Sequence, residues 1–260
     1  MLLLFNSFSP HRHPALFPGA VSLGRTDGGG NLNGQGVITS VELQKKQRHR
    51  YNIFVDEQFA FAVHEDILMK HRLFKGQVVS ADRLEEVLRD EERQDAYVKT
   101  IRWLGARPRT EKEIRQYMGR KAYEPAVVDH CVERLKAERY VDDERFSRAL
   151  TEERLQRQGK GKQWIRQELL QKGVDKQTVM DAVQSVSPEE EKAAAAALAK
   201  KRWRALSSGE DPQAARRKLY AYLARRGFSA SAVREAVREA ADGADDDDGE
   251  AAWDDDGGWE

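Results

Sequence analysis

The sequence predicts a mainly α protein: three tandem three-helix repeats preceded by a small β-containing module, with disordered termini. Three observations carry that expectation. A five-residue apolar series occurs three times, at offsets of 51 and then 54 residues. Charged residues make up 34% of the 260-residue chain at a mean hydropathy of −0.76, which suits slender helical cores better than a buried parallel sheet. Finally, the 44 basic and 44 acidic residues are sorted along the chain. Residues 1–93 hold 12 of each, residues 94–240 hold 32 basic and 22 acidic, and residues 241–260 hold no basic and ten acidic ones.

In chain order, residues 1–36 come first, with Pro10, Pro14, Pro18 and Gly28-Gly-Gly30, and show no helical or strand period. They read as a disordered leader. The triple glycine has no following Gly-Lys-Ser/Thr and no preceding strand, so it is not a phosphate-binding loop. Met1-Leu-Leu-Leu-Phe5 lacks a basic flank and is broken by Asn6, which makes a poor signal peptide. No apolar run approaches the roughly 20 residues of a membrane span. The expectation is a cytoplasmic protein with no membrane partner. A single cysteine, Cys131, excludes an internal disulfide framework and a cysteine-based zinc cluster.

Residues 37–93 read as a small β/α module. Val37-Ile-Thr-Ser-Val-Glu-Leu43, Tyr51-Asn-Ile-Phe-Val55 and Phe59-Ala-Phe-Ala-Val63 have strand character. The last two suggest a hairpin over a three-residue loop, Asp56-Glu-Gln58, that lacks the usual glycine. Residues 65–72 look helical, and Lys75-Gly76-Gln-Val-Val79 resembles a turn into a final strand; a three-stranded module of this size is expected to pack on its neighbour. Lys45, Lys46, Arg48, His49 and Arg50 in the first loop either contact phosphate or stay solvated.

The repeats occupy 94–143, 144–188 and 189–240, and the acidic tail 241–260. Ile114, Met118, Tyr123, Val128 and Val132 are spaced by 4, 5, 5 and 4. Ile165, Leu169, Val174, Val179 and Val183 repeat those steps, as do Leu219, Leu223, Phe228, Val233 and Val237. A step of 4 keeps one helix face, and a step of 5 crosses a break between helices. Lys172-Gly173 and Arg226-Gly227 mark that break with a glycine for the left-handed conformation and a cation against the helix dipole. Copy one has Lys121-Ala122 there, so its turn is strained or differently built. A further helix precedes each pair, at 95–105, 144–158 and 189–206. Thr110-Glu-Lys-Glu113 and Ser187-Pro-Glu-Glu190 have capping-box spacing, Asp211-Pro212 is a cap-then-proline entry, and Asp142 or Asp143 caps the helix at Glu144.

Tyr140-Val-Asp-Asp-Glu-Arg-Phe146, Glu168-Leu-Leu-Gln-Lys-Gly-Val174 and the three repeats resemble the RecX family, modulators of the RecA recombinase. Ile38-Thr-Ser-Val-Glu-Leu-Gln-Lys45 and residues 51–64 look like the amino-terminal extension of its longer members, and the resemblance covers about residues 37–240. It implies an elongated right-handed arc of repeats that binds in the groove of the RecA–single-stranded DNA filament. It also implies inhibition of strand exchange, ATP hydrolysis and co-protease activity. The leader and tail lie outside the resemblance, and Ala122 departs from the repeat's glycine.

No nucleophile–base arrangement stands out, so the chain reads as a binding protein with no catalytic residue, metal or cofactor. His11 and His13 lie in the leader, while His49, His64, His71 and His130 show no ligand spacing and read as surface residues. Asp142 and Asp143 read as helix-start carboxylates rather than metal ligands. Tyr140 and Phe146 are expected to pack into the junction of repeats one and two. The candidate RecA- or DNA-binding cluster is Lys160, Lys162, Arg166 and Lys172, then Lys200, Lys201, Arg202 and Arg204, then Arg216, Arg217, Lys218, Arg225 and Arg226. Trp164 and Trp203 within it either stack on a partner or fill the core. The expected partners are the RecA filament and, weakly and electrostatically, single-stranded DNA, met by a monomer. A stand-alone DNA-binding protein with helix-turn-helix-like repeats is the alternative; Gln163, Gln167 and Gln171 give it no clear base-reading helix. The acidic tail either folds back on the basic region or only solubilises the chain.

Overall fold

The structure is a computed structural model and describes residues 35–207 and 211–242. The leader lies outside the described residues except for Gln35 and Gly36, which begin a strand; the tail does so except for Ala241 and Asp242, which end a helix. The chain divides into two compact units. The first runs to Ala106 and takes in Arg115–Glu138; the second comprises Arg107–Ile114 and the chain from Arg139 onward.

The first unit opens with β1 (Gln35–Leu43), β2 (Arg50–Val55) and β3 (Gln58–His64), then α1 (Glu65–Lys70) and β4 (Val78–Ser80). The strands form an antiparallel sheet of order β3-β2-β1-β4, in which the final strand expected after Lys75-Gly76 is β4 and makes the module four-stranded. The β2–β3 loop is shorter than its sequence suggests. Gln58 already pairs with Val55, leaving Asp56-Glu57 as a two-residue turn with φ of 49° and 67°. Two positive φ values match the twist of the flanking strands, which sets the turn despite the missing glycine. Ile38, Ile53, Phe61, Val63, Leu73 and Val87 form the core beneath the sheet.

α2 (Ala81–Leu104) is one continuous helix across the boundary expected at 93/94. Its stripe Asp90, Glu91, Gln94 and Asp95 is buried, and buried carboxylates need partners. Arg50 bonds both Glu91 (2.8 Å) and Asp95 (3.3 Å). The His64 backbone N–H donates to Glu91 at 2.7 Å, and its ring Nδ1 lies 2.8 Å from the same carboxylate. Lys70 and His71 hold Asp90 at 2.7 and 2.8 Å. The surface role expected of His64 and His71 is therefore corrected: His71 is buried, and both rings face carboxylates. Burial alone would raise the Asp90 pKa, but the hydrogen bonds from Lys70 and His71 outweigh it and hold the carboxyl below its ordinary value.

α3 (Glu111–Arg120) and α4 (Pro125–Ala137) complete repeat one. α5 (Asp143–Gln156), α6 (Lys162–Gln171) and α7 (Lys176–Gln184) form repeat two; α8 (Pro188–Leu206), α9 (Pro212–Arg225) and α10 (Ala230–Asp242) form repeat three. The first step of 5 in the apolar series has a specific cause. Tyr123, Val174 and Phe228 each donate their N–H to the carbonyl five residues back, on Met118, Leu169 and Leu223. That is the Schellman helix end, whose signature is an apolar contact between those two positions. Ala122 at φ 58° holds the place of Gly173 at 84° and Gly227 at 85°, so copy one makes the same turn with a side chain in the left-handed region. Capping boxes form at Thr110/Glu113 and Ser187/Glu190, and Asp142 and Asp211 cap α5 and α9.

Relieving that left-handed alanine gives a direct test. Ala122→Gly is expected to raise unfolding stability by about 1 kcal/mol in urea titration, because it removes the Cβ clash that disfavours this region. Asp90 sets a pH dependence. Its depressed folded pKa means that its stabilisation is complete above the unfolded value of 3.8 and is lost as pH falls through the lower folded value. Thermal melts between pH 5 and pH 2 are expected to show a shallower decline in Asp90→Asn than in the parent.

Candidate functional site

The basic residues of repeats two and three are placed by a backbone junction inside the second unit. The N-terminus of α6 lies on the α9–α10 turn: the Gly161 N–H donates to the Arg226 carbonyl at 2.9 Å, and the Gln163 N–H to the Gly227 carbonyl at 3.0 Å. A Cβ on Gly161 would overlap the Gly227 backbone, and one on Gly227 would overlap Trp164. The buried Glu191 carboxylate of α8 accepts from the N–H groups of Lys162 (3.4 Å) and Ser229 (3.2 Å). Carboxylates suit such helix starts, where N–H groups lack intrahelical partners.

One repeat earlier the same construction recurs. Thr110 Oγ1 donates to the Lys172 carbonyl at 2.7 Å, Asp143 accepts from the Glu111 N–H at 3.0 Å, and a Cβ on Gly173 would overlap Lys112. Asp142 and Asp143 thus have different structural roles: Asp142 caps its own helix α5, and Asp143 serves the start of α3. Phe146 packs at the edge of the core with Lys172 Nζ 5.8 Å from its ring centre. Tyr140 departs from the expectation. It is 56% exposed, because the neighbouring Val141 takes the inward direction and is buried.

The junction brings together cations from three sequence clusters. Arg226 donates to the Gln158 carbonyl and to the Tyr222 hydroxyl, both at 2.9 Å. Arg202 of α8 lies 5.6 Å from the Tyr222 ring centre, and Lys160 stands 3.9 Å over the Trp164 ring. Partial burial first, then the charges of Arg226 and Arg154, push the Lys160 pKa down. Crowded cations beside two aromatic faces form a surface suited to an anion with a π-system. Tyr222 escaped the sequence reading; its signal was an aromatic one helical turn before Arg226.

Other members of the cluster are committed to the fold. Lys162 Nζ bonds the Val186 carbonyl, and Lys172 Nζ lies 3.7 Å from Glu113. Arg166, Lys200, Lys201, Arg204, Arg217, Lys218 and Arg225 are exposed, as is Arg216, whose guanidinium lies 3.9 Å from Asp242. Trp203 is buried in the repeat-two and repeat-three core, whereas Trp164 is only half-buried against it. Among the described residues, no group of His, Cys, Asp or Glu is arranged to hold a metal ion, and no helix is long and apolar enough to cross a membrane.

Residues 36–80 match the regulatory protein RecX N-terminal domain, and residues 96–135, 142–183 and 189–237 match the first, second and third three-helix domains of RecX. Regulatory protein RecX of Halalkalibacterium halodurans is 30% identical over 208 residues, 78% of this chain and 77% of its own length. The chain belongs to the RecX family. Regulatory protein RecX of Bacillus cereus strain G9842 is 32% identical over 81% of this chain and 79% of its own. RecX of Listeria welshimeri is 33% identical over 152 residues; the matched stretch spans 58% of this chain and 56% of that relative. A crystal structure of regulatory protein RecX aligns at a TM-score of 0.67 and 27% identity, over 78% of this chain and 99% of its own. RecX from Lactobacillus salivarius, 18% identical, shares the fold at a TM-score of 0.54 over 58% of this chain and 97% of its own.

The Gly161–Gly227 junction makes a stability prediction. Gly227→Ala adds a left-handed Cβ and a backbone overlap, and should lower unfolding stability by about 3 kcal/mol. Gly119→Ala, at a helical site with open space around it, should raise it by about 1 kcal/mol in the same urea titration.

Proposed function

We propose that the chain regulates the RecA recombinase by binding the RecA–single-stranded DNA filament, and that its main effect is inhibitory. One observation carries the reading: in a RecX-family chain, the fold gathers Lys160, Arg202 and Arg226 around Trp164 and Tyr222 at the junction of repeats two and three. The exposed Lys200, Lys201 and Arg204 of α8 and Arg217 and Arg225 of α9 extend the positive charge on the same repeat. A filament that carries DNA phosphates is a matching polyanion, and its regular subunits offer protein contacts as well. Contact with DNA in this arrangement is electrostatic and independent of sequence. No part of the reading asks the chain to catalyse a reaction.

The deciding experiment is the single-stranded-DNA-dependent ATPase of RecA with substoichiometric amounts of this chain and DNA in excess. Inhibition at low ratio is the expected result, because the chain then acts on the filament rather than by sequestering DNA. No inhibition alongside tight binding to bare DNA would replace this reading with a stand-alone DNA-binding protein. Lys160→Ala and Arg202→Ala are each expected to weaken binding to an oligothymidylate. Each should also reduce the slope of log K against log salt by about 1 for every phosphate the variant no longer neutralises.

A further inference from the structure

Several cations of the second unit have partners. Arg154 makes a two-pronged pair with Glu168 at 2.7 and 2.8 Å, Lys172 meets Glu113, and Lys192 meets Glu235 at 2.9 Å. Others lie on the outer faces of α8 and α9. Lys200, Lys201, Arg204, Arg217 and Arg225 are exposed there, and among the described residues none of the five forms an ion pair. α10 ends beside α9. Its last residue, Asp242, places a carboxylate oxygen 3.9 Å from Arg216 of α9.

Asp242 is also the first of the ten acidic residues that close the sequence. The next 18 residues, 243–260, hold the other nine and no lysine or arginine. We propose that residues 243–260 dock on the exposed cations of α8 and α9 and compete there with outside polyanions. This rests on the reading of those cations as a binding surface. The arithmetic of length allows it: 18 residues reach up to about 60 Å when extended, whereas the 19-residue α8 is about 28 Å long. The arithmetic of charge favours it, since nine carboxylates meet five unpaired cations within a span no diffusing ligand must search for. The Asp242–Arg216 pair starts the run in the right place. Trp253 and Trp259 add two apolar rings to an otherwise acidic segment, so the docking need not be ionic alone.

Two readouts on the full-length chain test it. Zero-length carbodiimide cross-linking, mapped by mass spectrometry at low salt and low protein concentration, is expected to join carboxylates of 243–260 to Lys200 and Lys201, and to lose those links near 0.5 M salt. The second compares the parent with a full-length variant carrying Asn at Asp245, Asp246, Asp247, Asp248, Asp254, Asp255 and Asp256. The variant should bind an oligothymidylate about 10-fold more tightly at 50 mM salt, and the gap should close at high salt. Links absent at Lys200 and Lys201, or equally frequent at Lys45 and Lys46, would overturn the docking. Links present with affinity unchanged would keep the docking but overturn the competition, and with it the reading of α8 and α9 as a polyanion surface.

Discussion

Everything in the second unit depends on the close approach of a left-handed turn to the N-terminus of a helix in the preceding repeat. At Gly161–Gly227 the two backbones leave no room for a Cβ on either side, and N–H groups that a helix start leaves unpaired find the carbonyls of Arg226 and Gly227. A related approach recurs at Thr110 and Gly173, where Asp143 takes the part of Glu191; in repeats two and three the junction works beside one shared hydrophobic core. Tandem repeats gain much of their stability from nearest-neighbour contacts, and these two junctions supply them here.

The two units solve burial differently. In repeats two and three the core mixes small residues, Ala195, Ala199, Ala236 and Ala240, with Leu219, Leu223 and Phe228. In the first unit α2 buries a row of carboxylates, and Arg50, His64, Lys70 and His71 from the strand module give it hydrogen-bond partners. Removing one partner from such a network strands a buried charge, which costs more than the pair contributes by existing. The network ties the strand module to α2, and protonation of Asp90 at low pH breaks a buried contact rather than changing surface charge alone.

Function draws on the same economy of placement. Lys162 and Lys172, equal in sequence to their neighbours, are committed to the Val186 carbonyl and to Glu113, while Arg226 serves both the junction and the aromatic cluster. The turn that lets repeat three approach repeat two also sets Arg226 beside Lys160 and Trp164. For the proposed contact with a polyanion, cations anchored beside helix ends keep their spacing without a loop being ordered at each encounter.

By itself the sequence determined the three repeats, most helix starts and ends (though not the start of α2 at Ala81), the strand segments and the sorted charge. Each of these is local: apolar spacing, capping residues and turn residues act within a few positions of the chain. The Schellman turns were legible as steps of five, even where Ala122 stands in place of glycine. Tertiary structure alone decided the rest. The Glu91 and Asp95 stripe reads as a solvated face until Arg50 and His64, 27 to 45 residues away in sequence, cover it. Tyr140 and Val141 compete for one inward direction, and only packing chooses Val141. Which lysines stay exposed, and which cations gather at Tyr222, depends on carbonyls and rings contributed by other helices. Those partners are distant in the chain, and spacing within one helix carries no information about them.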